Sequence, residues 1–336
     1  MAMQHFRARR QKSGTTYYYF DAGGKPRKEI PLGKDYVAAV RKWTQLMAES
    51  APTVVTFADL ADKYEREVIP LKAKSTQTLQ RFDLKALREF FCTPSPAPLD
   101  EIKPSHIHKM LQWKKDQPTT ANRLKRQFSN MFNMARAWGY TEAANPVTGI
   151  KGFALAKREN YITDAVFKAV WESATPPLRD AMDLAYLTGQ RPGDALRMTE
   201  RDVVDGMLLV EQGKTGAKLR IRVEGKLAAL LKRIKARKDG YKVWSANLTV
   251  NTRGMPLTAN TLRNLFDAAR SAAADAHPGL ADEIKAMRFY DLRAKAADDV
   301  SDEHGEQAAA NLLGHDSVTT TQRHYLRKGR VVGPTK

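Results

Sequence analysis

Two arginines, a lysine, a histidine and a tyrosine in the second half of the chain occupy positions where the local sequence would hold them still. Arg191 follows Asp183-Leu184-Ala185-Tyr186-Leu187-Thr188-Gly189-Gln190 and precedes Pro192-Gly193-Asp194: an apolar helix, a glycine break, then an arginine before a proline suited to a first helical turn. Arg293 ends Tyr290-Asp291-Leu292-Arg293, His315 ends Leu312-Leu313-Gly314-His315, and Tyr325 comes ten residues later. Lys214 lies in Gly213-Lys214-Thr215-Gly216, a turn between two short apolar segments. Guanidinium groups donate planar pairs of hydrogen bonds to oxyanions, while lysine, histidine and tyrosine move protons or act as nucleophiles. Singly, each fragment has an ordinary explanation: a helix start, a histidine on a helix dipole, a packing tyrosine, a solvated turn lysine. In this order the fragments form a specific pattern.

The elements that must position these groups belong to an ordinary globular chain. Its 336 residues suggest two or three domains, and 42% hydrophobic with 28% charged residues excludes a collagenous, disordered or disulfide-stapled protein. The single cysteine, Cys92, can form no internal disulfide, and there is no cysteine cluster for zinc. No apolar run approaches the ~20 residues of a membrane span, and the basic start is not followed by an apolar stretch, so a soluble, cytoplasmic protein is expected. Lys and Arg number 56 against 37 Asp and Glu, a net charge of +19. Residues 1–50, 51–150 and 151–336 carry +6, +5 and +8, so no single tail supplies the excess. A field of that sign attracts polyanions, and nucleic acid is the expected one.

Residues 1–34 read as a small β unit. Tyrosine-rich residues 15–20 alternate between two faces, and Asp21-Ala22-Gly23-Gly24 turns the chain into a second strand ending near Ile30. Tyr17 and Tyr19 share one face and Tyr18 and Phe20 the other, so one face can pack while the other meets a DNA groove. Eight basic residues, Lys25, Arg27 and Lys28 among them, surround this unit with two acids. A helix over 36–49 and a linker at 50–52 follow. Residues 53–150 read as helical, with Thr56 capping a helix over 57–68 and further helices over 75–91, 105–114 and 119–138. In the last, Leu124, Phe128, Met131, Phe132 and Ala135 share one face, with Arg123, Arg126 and Asn130 on another. Lys125 belongs to the same basic cluster, eight basic residues against one acid from Lys103 to Arg136. A second linker covers 149–160. Beyond it the pattern predicts helices at 164–174, 178–188, 193–202, 224–238, 258–275, 291–303 and 306–313, and a hairpin pairing 206–210 with 219–223.

Together these motifs resemble the tyrosine recombinase, or phage integrase, family, and most closely its three-domain, lambda-integrase-like members. The resemblance implies a mainly α fold with small β elements (α+β). Its domains would be a three-stranded β arm-binding domain at 1–50, a helical, SAM-like core-binding domain at 53–150 and a mixed, mostly helical catalytic domain at 158–336. It implies a prophage integrase: a site-specific recombinase that cuts and rejoins DNA through a covalent 3′-phosphotyrosyl link, with no cofactor and no metal. Tyr325 would be the nucleophile, Arg191 and Arg293 would hold the non-bridging oxygens, and Lys214 would protonate the leaving 5′-oxygen. His315 would bond the scissile phosphate, Tyr290 would complete the catalytic set, and Asp194 would orient Arg191 or a neighbouring group. Tyr17, Tyr19, Lys25, Arg27, Lys28, Arg123, Lys125 and Arg126 would contact DNA. The implied partners are double-stranded attachment sites, a homotetramer on DNA, a DNA-bending host factor and an excisionase, with a nucleoid location. Residues 327–332, Arg327, Lys328 and Arg330 among them, would dock on a neighbouring protomer or fray.

In two respects the chain departs from the family: the spacing from His315 to Tyr325 is about one residue longer than in many relatives, and Tyr290 stands where the family usually has histidine. A phenol with an ordinary pKa of ~10 is a poor proton acceptor at neutral pH. Deprotonation of Tyr325 then falls to His315, a water or the arginine field. A non-catalytic DNA-binding protein and a topoisomerase-type enzyme share parts of the pattern. Tyr325→Phe separates the first from a recombinase, and sequence-independent plasmid relaxation the second.

Overall fold

The computed structural model describes residues 3–24, 26–50, 54–329 and 334–335, and within them the chain is mainly α-helical with two three-stranded sheets. It divides into two compact units, residues 1–156 and 157–336.

In the first unit, strands β1 (Phe6–Arg10), β2 (Thr16–Gly23) and β3 (Lys28–Gly33) form an antiparallel sheet in that order. Phe6 pairs with Phe20 and Arg9 with Tyr17, so the period-two alternation puts Phe6, Tyr18 and Phe20 on one face. That face packs on Ala39 and Trp43 of helix α1 (Tyr36–Ser50). Tyr17 and Tyr19 lie on the other face with Arg7 and Arg9, and the Arg9 guanidinium stands 5.4 Å from the Tyr19 ring centroid. Helices α2 (Phe57–Glu67), α3 (Lys74–Phe91), α4 (Pro104–Trp113) and α5 (Pro118–Ala137) share a second core. Thr56 starts α2 with a reciprocal cap, its hydroxyl and backbone N–H engaging Asp59. The apolar face expected on α5 is real: Leu124, Phe128, Met131, Phe132 and Ala135 are all 0% exposed. Phe128 stacks on Phe57 with ring centroids 5.7 Å apart, a geometry that adds to plain area burial.

The second unit begins with helices α6 (Asp164–Glu172), α7 (Pro176–Thr188) and α8 (Pro192–Ala195). The helix expected over 193–202 stops at Ala195. Thr199 and Asp202 cap each other across a short 3-10 turn, and the chain swings into a strand the sequence pattern did not indicate. That strand, β4 (Val203–Val204), pairs with β5 (Met207–Glu211), which pairs with β6 (Lys218–Arg222) through the expected hairpin, Glu211 opposite Lys218. Helices α9 (Gly225–Asp239), α10 (Ala259–Ala276), α11 (Ala281–Ala286), α12 (Asp291–His304), α13 (Glu306–Leu313) and α14 (Val318–His324) complete the unit. Helices α11 and α14 were not anticipated, being too short to show an apolar period. Helix α12 is buried from Asp291 through Asp298. Its alanines permit close packing, and Ala294 and Ala297 form a small cluster with Ala309, Leu313 and Tyr325. Among the described residues no helix is long and apolar enough to cross a membrane.

Candidate active site

The loops and helix ends of the second unit surround a cleft of about 790 Å³ whose lining includes Arg191, Lys214, Tyr290, His315 and Tyr325. Local backbone chemistry explains the convergence. Helix α7 ends on Gly189 and α13 on Gly314, both left-handed caps with φ of 63° and 64°, a conformation that costs glycine little. Arg191 then takes the extended position before α8, with Pro192 in the first turn. A Cβ on Gly314 would stand 2.9 Å from the Gln212 amide nitrogen, so glycine also permits the approach of β5 to His315.

Tyr325 ends α14 and is 7% exposed. The Tyr290 hydroxyl donates to the Tyr325 oxygen at 2.9 Å, and the Arg293 guanidinium lies 5.2 Å from the Tyr325 ring centroid. Burial pushes the Tyr325 phenol up, but the bond from Tyr290 and the charges of Arg293 and Arg191 outweigh it, and the net shift is downward. Tyr290 is driven the other way, to about 12, by burial and by its bond to Tyr325. Of the two phenols, Tyr325 is the one that ionises first.

Arg293 does not face the cleft as a bidentate donor. It is 1% exposed, and its terminal nitrogens donate to the carbonyls of Gly189 and Leu313, each at 2.7 Å. Its third contact, from Nη2, is His315 Nε2 at 3.3 Å. A guanidinium has no acceptor, so Nε2 must be the unprotonated ring nitrogen, and Nδ1–H donates to Thr321 Oγ1 at 2.8 Å. Burial, then the charges of Arg293 and Arg191, lower His315 to about 4. The imidazole is therefore neutral at pH 7, with its one acceptor nitrogen turned to Arg293. As it stands it cannot donate from Nε2 to a phosphate oxygen.

Arg191 is held by a residue the sequence reading did not single out. Its Nη1 donates to Gln212 Oε1 at 2.7 Å, and Gln212 Nε2 donates to Gln190 Oε1 at 2.8 Å and the Leu313 carbonyl at 2.9 Å. Gln190 and Gln212 are 0% and 1% exposed. This amide pair ties the ends of α7, β5 and α13 together behind Arg191. Asp194 is only 3.8 Å from Arg191 and is chiefly engaged by Arg197 and by the Gly213 N–H at 3.0 Å. It thus positions the turn that carries Lys214, which is exposed at the cleft.

Residues 160–330 match the phage integrase family. The chain belongs to this family. It is a tyrosine-type site-specific recombinase, an enzyme that integrates or excises phage or mobile-element DNA by cutting and rejoining it through a covalent 3′-phosphotyrosyl intermediate. Over 336 residues it is 29% identical to the integrase of Enterobacteria phage 434, covering 93% of this chain and 92% of that one. The integrase of Escherichia phage lambda is 28% identical over the same length and coverage. A solved lambda integrase tetramer bound to a Holliday junction superposes with a TM-score of 0.72 at 25% identity, covering 99% of this chain and 98% of that one.

In this phage integrase the basic residues expected to meet DNA divide into free and engaged groups. Arg126 is exposed, but Arg123 grips Asp83 with Nε at 2.9 and 2.6 Å from the two carboxylate oxygens, bracing α5 on α3. Lys125 donates to the Ile150 carbonyl at 2.7 Å. Arg27 donates through Nε and Nη2 to Asp21 at 3.0 and 2.6 Å, whereas Lys28 is exposed. Lys25 lies outside the described residues. Arg327 and Lys328, expected to reach a neighbouring protomer or fray, are anchored within their own unit on Asp291 at 2.8 Å and Asp302 at 2.5 Å. Arg330, Val331 and Val332 lie outside the described residues.

Proposed function

We propose that Tyr325 is the nucleophile of this integrase and that its proton leaves to His315 Nε2. The observation that carries this reading is the phenol pair: Tyr290 donates to Tyr325 at 2.9 Å while its own pKa rises to about 12. A donor of that strength stabilises the phenolate form of Tyr325 and does not compete for its proton. His315 is a neutral base whose ring centroid lies 5.0 Å from that of Tyr325. Arg191, held by Gln212, binds a non-bridging oxygen of the scissile phosphate. Arg293 works from beneath, its charge favouring the Tyr325 phenolate. Lys214, at the hairpin tip, protonates the 5′-oxygen as it leaves, and Asp194 steadies that hairpin. The positive charge facing the phosphorane-like transition state comes from Arg191 and Lys214, with Arg293 adding its field from below.

The first fifty residues serve as an arm-type DNA-binding domain, the face bearing Tyr17 and Tyr19 entering a groove, with Lys25 and Lys28 toward the backbone. Residues 53–150 grip the core site, with Arg126 foremost. Four protomers hold two duplexes and exchange strands in pairs through a four-way junction. A DNA-bending host factor and an excisionase act as partners, and the enzyme works in the cytoplasm on the nucleoid.

The test is covalent capture. Protein is incubated with duplex DNA from the region flanking its gene in the presence of a metal chelator, then resolved in a denaturing gel. A protein–DNA band that disappears with Tyr325→Phe is the expected result. Native complexes without any covalent band would overturn the assignment.

A further inference from the structure

Asp291 follows Tyr290 in sequence and is 0% exposed. Two arginines share its carboxylate. Arg158, at the start of the second unit, donates from Nε to Oδ1 at 2.8 Å and from Nη2 to Oδ2 at 2.5 Å. Arg327, two residues after Tyr325, donates from Nη1 to Oδ1 at 2.8 Å and to the Asn160 carbonyl at 2.7 Å. The Arg327 side chain is 5% exposed, that of Arg158 32%. Both arginines hold the Asp291 carboxyl below its usual range, against the burial that would raise it.

Helix α12 extends this anchorage. Asp291, Asp298 and Asp302 are spaced at seven and four residues, which puts them on one helix face. Asp298 accepts the backbone N–H groups of Arg327 at 2.9 Å and Lys328 at 3.2 Å, and Asp302 takes the Lys328 ammonium at 2.5 Å. The chain just beyond Tyr325 is therefore laid along a row of carboxylates. Arg327 Nε, Asp298 Oδ2 and Asn160 Nδ2 are buried there without hydrogen-bond partners. Buried groups left unpaired are uncommon and costly, and three lie along this one short contact.

We propose that Asp291 is a positioning residue for strand cleavage: through Arg327 it sets where Tyr325 stands in the cleft, and through Arg158 it makes that placement depend on the segment by which the chain enters the catalytic unit. The role rests on Tyr325 being the nucleophile. A buried carboxylate shared by two guanidinium groups couples them, because moving one changes the charge and geometry available to the other.

The experiment uses the full chain and single-turnover formation of the covalent complex at saturating DNA. Arg158→Gln and Arg327→Gln each slow it about tenfold, the double variant is no slower than the slower single one, and Arg158→Lys recovers most of the rate. Hydrogen exchange in the free protein gives a second readout. Arg158→Gln accelerates exchange of the Arg327 and Lys328 amides, which bond to Asp298 rather than to Arg158. Effects that multiply to about a hundredfold in the double variant, single-variant rates equal to that of the wild type, or unchanged exchange of those two amides would each overturn the coupling. A wild type that forms no covalent complex while Arg158→Gln still loosens those amides would overturn the role of Tyr325 and leave the link between the two arginines standing.

Discussion

The Tyr290 hydroxyl points at the Tyr325 oxygen from 2.9 Å, so the residue in the position where the family usually has histidine is a hydrogen-bond donor to the nucleophile. A phenol and an imidazole can both fill that place, but they bias the proton differently. The imidazole can take a proton at neutral pH. Tyr290, held near 12 by burial and by the bond itself, gives one only in part, as a hydrogen bond.

Replacing Tyr290 with Phe removes that bond and leaves the Tyr325 oxygen to Arg293 and Arg191. Tyr325 then titrates at higher pH, because one of the influences lowering it is gone. A hydrogen bond to a developing anion contributes about 1.5 kcal/mol, roughly tenfold in rate. Tyr290→Phe should slow covalent complex formation about tenfold at pH 7, with the rate profile displaced to alkaline pH and thermal stability little changed, Tyr290 being 42% exposed. Single-turnover cleavage measured from pH 6 to pH 9 checks it. An unshifted profile would mean that Tyr290 does not set the state of Tyr325.

His315 gives a pH dependence of stability with a definite sign. Its folded pKa is about 4 against an ordinary 6.5, burial being the first cause and the Arg293 and Arg191 charges the next. Between those values the unfolded chain binds the proton and the folded chain does not. Stability therefore falls as pH drops from 6.5 towards 4 and gains no further loss from this group below 4. His315→Gln removes the titration. Thermal melts across pH 4 to 7.5 should show the wild type losing more Tm than this variant within that window, and parallel curves would contradict the shift.

The basic residues of α5 separate by mutation. Arg123→Ala strands the Asp83 carboxylate, which is 1% exposed, and breaking such a pair costs about 3 kcal/mol. For a unit of this size that lowers Tm by roughly 6–12 °C. Arg126→Ala should leave Tm unchanged and weaken DNA binding, with the slope of log affinity against log salt reduced by about 1. Melting curves and salt-titrated binding on both variants decide it. A loss of Tm with Arg126→Ala would remove the distinction.

How much of this site the sequence discloses follows from how local each residue's support is. Arg191, Lys214, His315 and Tyr325 sit at glycine breaks, turns and helix ends, features a linear pattern carries. The apolar stripe of α5 is equally local and was legible residue by residue. Gln212 is different: it reaches Gln190, Arg191 and Leu313 across up to 101 residues, and nothing beside it announces that an amide is needed. The meeting of Arg158, Asp291 and Arg327 spans 133 and 36 residues and has no sequence period at all. Charge counting also misleads where a cation has an internal partner. Arg27, Arg123 and Lys125 added to a basic cluster on paper, yet each is committed within the first unit. The short helix α14, which presents Tyr325, is below the length at which periodicity can be read.

Lys214 allows a chemical test that separates acid catalysis from folding and binding. It lies in an exposed turn, so Lys214→Ala should neither unfold the protein nor abolish complex formation with DNA. If its ammonium protonates the leaving 5′-oxygen, its loss costs on the order of 10²–10⁴-fold in cleavage, the usual contribution of a positioned acid. A substrate with sulfur in place of that bridging oxygen has a leaving group far less basic than an alkoxide and departs without a proton. On it Lys214→Ala should cleave at close to the wild-type rate, while Arg191→Ala, whose defect is loss of charge on the non-bridging oxygens, should stay impaired. Covalent complex formation with oxygen- and sulfur-bridged duplexes, compared across the three proteins, gives the answer. If sulfur rescues neither variant, Lys214 acts through the phosphate's charge rather than through its proton, and the acid must be sought elsewhere in the cleft.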